Sequence, residues 1–144
     1  MANKKIKDMR TYPAIFSKDE NGIAVEFPDL PGCFTCGKAE EEAVARAKEA
    51  LEGFLYVSER DGDRIPPPSS FEKIRAKKGE AVVLITVRMD IVREEEARRS
   101  VTKSVTLPAW LNKLGMEHNL NFSSLLQEAL KERLDVKDRV GGGD

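Results

Sequence analysis

Few of the 144 residues have the types and spacing that covalent or metal chemistry needs. Cys33 and Cys36 form a C-x-x-C, the spacing of redox thiols and of zinc ligands. A redox pair opens a helix, whose N-terminus lowers the first thiol's pKa. Here both cysteines fall in a strand-like run, C-F-T-C, several residues before the next helix, and an odd spacing on a strand sends them to opposite faces. With one histidine, His118, and no second cysteine pair, zinc would lack ligands within one chain. Glu26 and Asp29 raise the carboxylate cluster of a two-metal nuclease. The acids nearest in sequence are Asp19 and Glu20 in a turn and Glu40 to Glu42 at a helix start, and Asp29 between prolines reads as turn chemistry. His118 stands alone near a helix end, where the dipole favours a cation. No catalytic residue, metal or cofactor is expected.

A different kind of chemistry is spaced along Val101 to Leu107. Thr102, Ser104 and Thr106 alternate with Val105 and Leu107, the period-2 signature of a strand with one wet face. Pro108 stops the strand and suits the first position of a helix. That helix runs from Ala109 to about Asn119 with Leu111 and Leu114 on one side. Asn121 is a good N-cap for a second helix, whose apolar stripe is Phe122, Leu126, Ala129 and Leu130. A lone strand cannot satisfy its own backbone, and the unit is too small to bury a core. A second copy solves both problems: two strands pair antiparallel and four helices close over their apolar side. The other side then presents Thr102, Ser104 and Thr106 to base edges in a DNA major groove. Lys103, Lys113, Asn121 and the backbone N–H groups of Phe122, Ser123 and Ser124 are the expected phosphate contacts.

These residues resemble a ribbon-helix-helix DNA-binding domain, through the V-T-L-P start and the N-F-S-S-L-L-Q-E-A-L second helix. Many members of that family carry a basic residue or an amide on the outward strand positions. Here all three are hydroxyls, and Lys103 falls in the inward register. The competing reading of the residues is a helical hairpin that dimerises without binding DNA.

The overall charge of −1 hides an uneven distribution. Residues 1–71 carry 10 Lys and Arg against 13 Asp and Glu, residues 72–113 carry 10 against 6, and residues 114–144 carry 4 against 6. The basic block lies before and within the expected ribbon, where a footprint for nucleic acid belongs. The N-terminus has no apolar run behind its lysines, and no stretch reaches the length of a membrane span, so a cytoplasmic protein is expected. Two cysteines without an export signal agree with a reducing compartment.

From the beginning, Thr11 to Ser17 and Ile23 to Phe27 read as a hairpin across the turn K-D-E-N-G. P-D-L-P-G breaks it, and C-F-T-C is a third strand. A helix follows from about Ala39 to Arg60, with acids in its first turn and small alanines early in its buried stripe. D-G-D-R-I-P-P-P-S-S is an extended connection, since three prolines lack N–H groups. Ala81 to Val87, nearly all apolar, reads as a strand buried on both faces. Asp90 to Ser100 is charged and reads as a hinge or exposed helix, and the tail from Asp135 as frayed. The fold class is α+β, with residues 1–89 as one domain, 90–100 as a charged linker and 101–144 as the dimeric DNA-binding domain with a flexible tail.

The runs Y-P-A-I-F, F-P-D-L-P-G-C-F-T-C-G, E-E-A-V-A-R-A-K-E-A-L and D-G-D-R-I-P-P-P-S closely resemble the HicB family of antitoxins over residues 12–70. That family includes members with a C-terminal ribbon-helix-helix domain. The resemblance implies a partial ribonuclease-H-like sheet of order β-β-β-α-β used for binding, a HicA-type ribonuclease toxin as partner, and repression of a shared operon. The function expected is an antitoxin that covers the toxin's RNA-binding surface and holds operator DNA as a homodimer; no residue is assigned to the toxin contact. Two other classes stand beside it. One is a ribbon-helix-helix repressor whose N-terminal domain senses a small molecule, and the other is a metal-dependent nuclease using Glu26 and Asp29.

Overall fold

A computed structural model describes residues 8–137 and divides the chain into two compact units, one ending at Ala97 and the other beginning at Arg98. In the first, β1 (Met9–Asp19), β2 (Gly22–Glu26), β3 (Phe34–Gly37) and β4 (Glu80–Arg88) form an antiparallel sheet of order β3-β2-β1-β4. The β1–β2 turn closes on Gly22, whose φ of 135° is open only to glycine, and Asp19 accepts the Asn21 N–H at 2.7 Å.

Helix α1 (Glu40–Asp61) buries Ala43, Ala47, Leu51 and Leu55 completely or nearly so. Its first turn lies directly on β3: a Cβ at Gly37 would come within 2.5 Å of the Ala43 nitrogen. Small residues therefore set the close approach at one end of the helix, and leucines fill the wider space beyond. Each fully buried leucine contributes roughly 1.5–3 kcal/mol. Tyr12 and Ala14 of β1, Val25 of β2, and Ile85 and Val87 of β4 belong to the same core. Gly62 ends α1 in the left-handed conformation, its N–H directed to the Glu59 and Ser58 carbonyls.

Two expectations are corrected. β4 is not buried on both faces: it is an edge strand, with Ile85 and Val87 in the core and Leu84 and Thr86 exposed. Its apolar run reflects one uncovered sheet face, not a central position. The charged segment after it has an apolar anchor after all. Helix α2 (Met89–Arg98) buries Met89 and Val92, so residues 90–97 belong to the first unit.

The triple-proline connection has no regular structure until a 3₁₀ turn at Phe71–Lys73. It is held at two points. Tyr12 donates its hydroxyl to the Pro66 carbonyl at 2.6 Å, and Asp29 accepts from both the N–H and the hydroxyl of Ser69, at 2.8 and 2.6 Å.

In the second unit, residues 99–108 form neither helix nor strand in the single chain; α3 (Ala109–Glu117) and α4 (Phe122–Leu134) follow. Pro108 is the N-cap of α3, one position before the place expected. Asn119, at φ 53°, turns the chain out of α3. The frayed tail was expected from Asp135; Asp135 itself caps α4 in the left-handed conformation, and the part beyond Lys137 lies outside the described residues. Among the described residues no helix is long and apolar enough to cross a membrane.

Candidate nucleic-acid interface

Thr102, Lys103, Ser104, Val105, Thr106 and Leu107 are all exposed, as is Lys113 on α3. The extended segment thus offers both its hydroxyl side and its apolar side. Val105 is 65 % exposed, and Leu111, Leu114, Phe122 and Leu125 of the two helices are each more than a third exposed. Their apolar surfaces, with Leu107, Gly115, His118 and Leu120, line an open cleft of about 350 Å³. Gly115 is the only buried residue of this unit among those described. A side chain there would collide with the Phe122 ring, 2.6 Å from an ideal Cβ, so glycine lets the two helices cross closely. Trp110 is 65 % exposed and packs into no core here, contrary to the default for a helix aromatic.

The start of α4 is narrower than expected as an anion site. Asn121 caps the helix, its side-chain oxygen accepting the Ser124 N–H at 3.1 Å. That N–H is engaged, which corrects its assignment as a free phosphate donor. The N–H groups of Phe122 and Ser123 lie in the first turn, where a helix leaves its donors without intrahelical partners, and the Ser123 and Ser124 hydroxyls are exposed.

Charge of opposite sign falls on the two units. Residues 1–97 carry 16 Lys and Arg against 19 Asp and Glu, a net of −3. Residues 98–144 carry 8 against 6, a net of +2. Of the basic block 72–113, only Arg98, Arg99, Lys103 and Lys113 fall in the second unit. In the first unit, Arg88 pairs with Asp90, and Arg93 with Glu59 and Asp8.

The other candidates for chemistry are dispersed. Cys33 is buried, its thiol directed at the Ala50 carbonyl at 3.7 Å, and burial pushes it up to about 11, away from the reactive thiolate. Cys36 is exposed, so the pair is split between inside and outside as its odd spacing requires. Both oxygens of Asp29 are engaged by Ser69, while Glu26 is exposed. Among the described residues no three His, Cys, Asp or Glu side chains gather as metal ligands would. The Asp29–Ser69 contact had no signal in the sequence, because its partners are 40 residues apart.

A family model described as the HicB-like antitoxin of bacterial toxin-antitoxin systems matches residues 12–130, from β1 into α4. The chain belongs to the HicB-like antitoxin family. It is 44 % identical over 77 residues to antitoxin HicB 2 of Photorhabdus laumondii, a match covering 54 % of this chain and 50 % of that antitoxin, so the match spans about half of the relative's length. A UPF0150 protein of Thermoplasma acidophilum is 39 % identical over 62 residues, 42 % of this chain and 90 % of its own. Among solved structures, the toxin-antitoxin complex from Streptococcus pneumoniae superposes with a TM-score of 0.57 at 24 % identity, covering 87 % of this chain and 99 % of that one. The Burkholderia pseudomallei antitoxin HicB gives 0.52 at 22 % identity, covering 86 % and 98 %. The mixed α+β fold with its four-stranded antiparallel sheet is that of HicB structures.

Proposed function

We propose that this chain neutralises a HicA-type mRNA-cleaving toxin and represses its own operon. The first unit, a partial ribonuclease-H-like sheet backed by α1, covers the toxin's RNA-binding surface. The second pairs with a second copy: residues 101–107 form an antiparallel ribbon that enters the major groove, and the apolar cleft closes against its counterpart. Thr102, Ser104 and Thr106 read base edges; Lys103, Lys113, Asn121, and the first-turn groups of Phe122, Ser123 and Ser124 hold phosphates, Ser124 through its hydroxyl.

The observation that carries this reading is the opposite charge of the two units, −3 and +2. A toxin that grips RNA is itself basic and meets its complement in the first unit; DNA meets its complement in the second. Family membership over residues 12–130 supports the antitoxin half.

The test is co-expression with the adjacent reading frame followed by pull-down. The expected result is a small basic protein in fixed ratio, together with rescue of growth from that protein's toxicity. Recovery of this chain alone contradicts the reading.

A further inference from the structure

Glycine inside a helix weakens it, so a mid-helix glycine needs a reason. At Gly115 the reason is the Phe122 ring, and at Gly37, in a strand, it is the Ala43 backbone. Gly53, in the middle of α1, has no such reason among the described residues: its φ is not positive, and a Cβ built there meets nothing within 4 Å. Gly53 instead lines a groove of about 490 Å³, with Ala50 and Val57 of α1, Gly32 and Cys33 of the loop leading into β3, and Phe34, the first residue of β3. The groove is mainly apolar, and its large side chains are uncovered: Phe34 is 73 % exposed and Val57 42 %.

We propose that this groove is the toxin's docking surface. A basic protein inserts an apolar side chain over Gly53, beside Val57 and Phe34, and presents a lysine or arginine to Asp63. The inference rests on the antitoxin reading and adds to it the surface and the chemistry of its occupant. Charge selects that occupant. Asp63 lines the groove, its backbone held by an N–H bond to the Ser58 carbonyl at 2.9 Å, and its carboxylate makes no ion pair among the described residues. The unit around it carries −3. A second copy of the same unit would bring like charge against like, which costs association. The buried Cys33 thiol beneath makes the groove a packing surface, not a reactive one.

The test uses the full chain and the co-purified basic partner, with Gly53→Gln, Gly53→Ala and Asp63→Lys. Gly53→Gln fills the groove while improving the helix, so Tm stays or rises and operator binding is unchanged, but toxin affinity falls at least about tenfold. Gly53→Ala, which leaves most of the space, keeps affinity within about threefold. Asp63→Lys lowers the association rate by about tenfold or more at low salt, with the difference shrinking as salt rises. Toxin affinity unchanged in both Gly53→Gln and Asp63→Lys overturns the proposal, and so does a change of oligomeric state in Gly53→Gln with toxin binding intact. If the wild-type chain binds no basic partner at all, the antitoxin reading fails and takes this surface with it. That outcome is distinguishable, because it appears before any substitution is made.

Discussion

The Arg93 guanidinium grips the Glu59 carboxylate at both oxygens, Nε donating at 3.0 Å and Nη2 at 2.8 Å, while Nη1 reaches Asp8 at 2.9 Å. One side chain of α2 is thereby tied to the end of α1 and the residue before β1. The paired arginine holds Glu59 below the usual carboxylate range. A carboxylate lowered in this way adds stability above its ordinary titration, and the contribution is lost as pH falls through the lowered pKa. Arg93→Ala should cost about 0.5–1 kcal/mol at neutral pH, because the pair is partly exposed, and almost nothing at about pH 2. Urea melts at the two pH values check this; an equal gap at both contradicts it.

The same geometry sets where the first unit ends. A fragment stopping at Met89 lacks buried Val92 and the Arg93 contacts; one stopping at Ala97 keeps them. The shorter fragment should be less stable by about 2 kcal/mol or more. Equal denaturant midpoints would show that α2 adds nothing to this unit.

Asp29 accepts two hydrogen bonds from Ser69 and so pins the proline connection to the loop after β2. Asp29→Ala should destabilise the first unit by about 1–3 kcal/mol and hasten proteolysis of the connection near Arg64. The nuclease reading predicts something else: loss of a metal-dependent activity with stability kept. Melting and a nuclease assay on one preparation separate the two.

Local signals made much of this fold legible. The K-D-E-N-G turn, the acidic start of α1, its alanine-then-leucine stripe and the Asn121 cap are each written within a few neighbouring residues. What was not legible depends on pairing across the chain. β1 extends back to Met9 because β4 pairs along it, and that partner is far off in the sequence. The run Ala81 to Val87 cannot itself reveal that its strand lies at an edge with Leu84 uncovered. Asp90 to Arg98 looks like a linker because Val92 is its single buried residue after Met89. At the candidate interface the hydroxyls are plain in the sequence, yet the Ser124 N–H is consumed by the very cap that announced the helix.

Gly115→Ala tests the helix crossing of the second unit. The added methyl must displace the Phe122 ring from 2.6 Å, at a cost of about 1–3 kcal/mol to that unit. Operator affinity should fall, while the first unit's melting stays as in the wild type. Unchanged DNA binding would show that the crossing does not position the interface.

The ribbon residues should divide by role. Thr106→Ala should relax base preference, whereas Lys103→Ala and Lys113→Ala should each weaken all sequences and lower the salt slope by about one. Operator selectivity surviving the joint replacement of Thr102, Ser104 and Thr106 by alanine would remove the ribbon as reader.

The proposed DNA binding depends on two chains covering the apolar surface around Val105, Leu111 and Phe122 that one chain leaves open. Sedimentation equilibrium of the intact protein at micromolar concentration measures this directly. The account predicts a mass of two chains or a multiple of it; a single chain of 16.1 kDa throughout would contradict it.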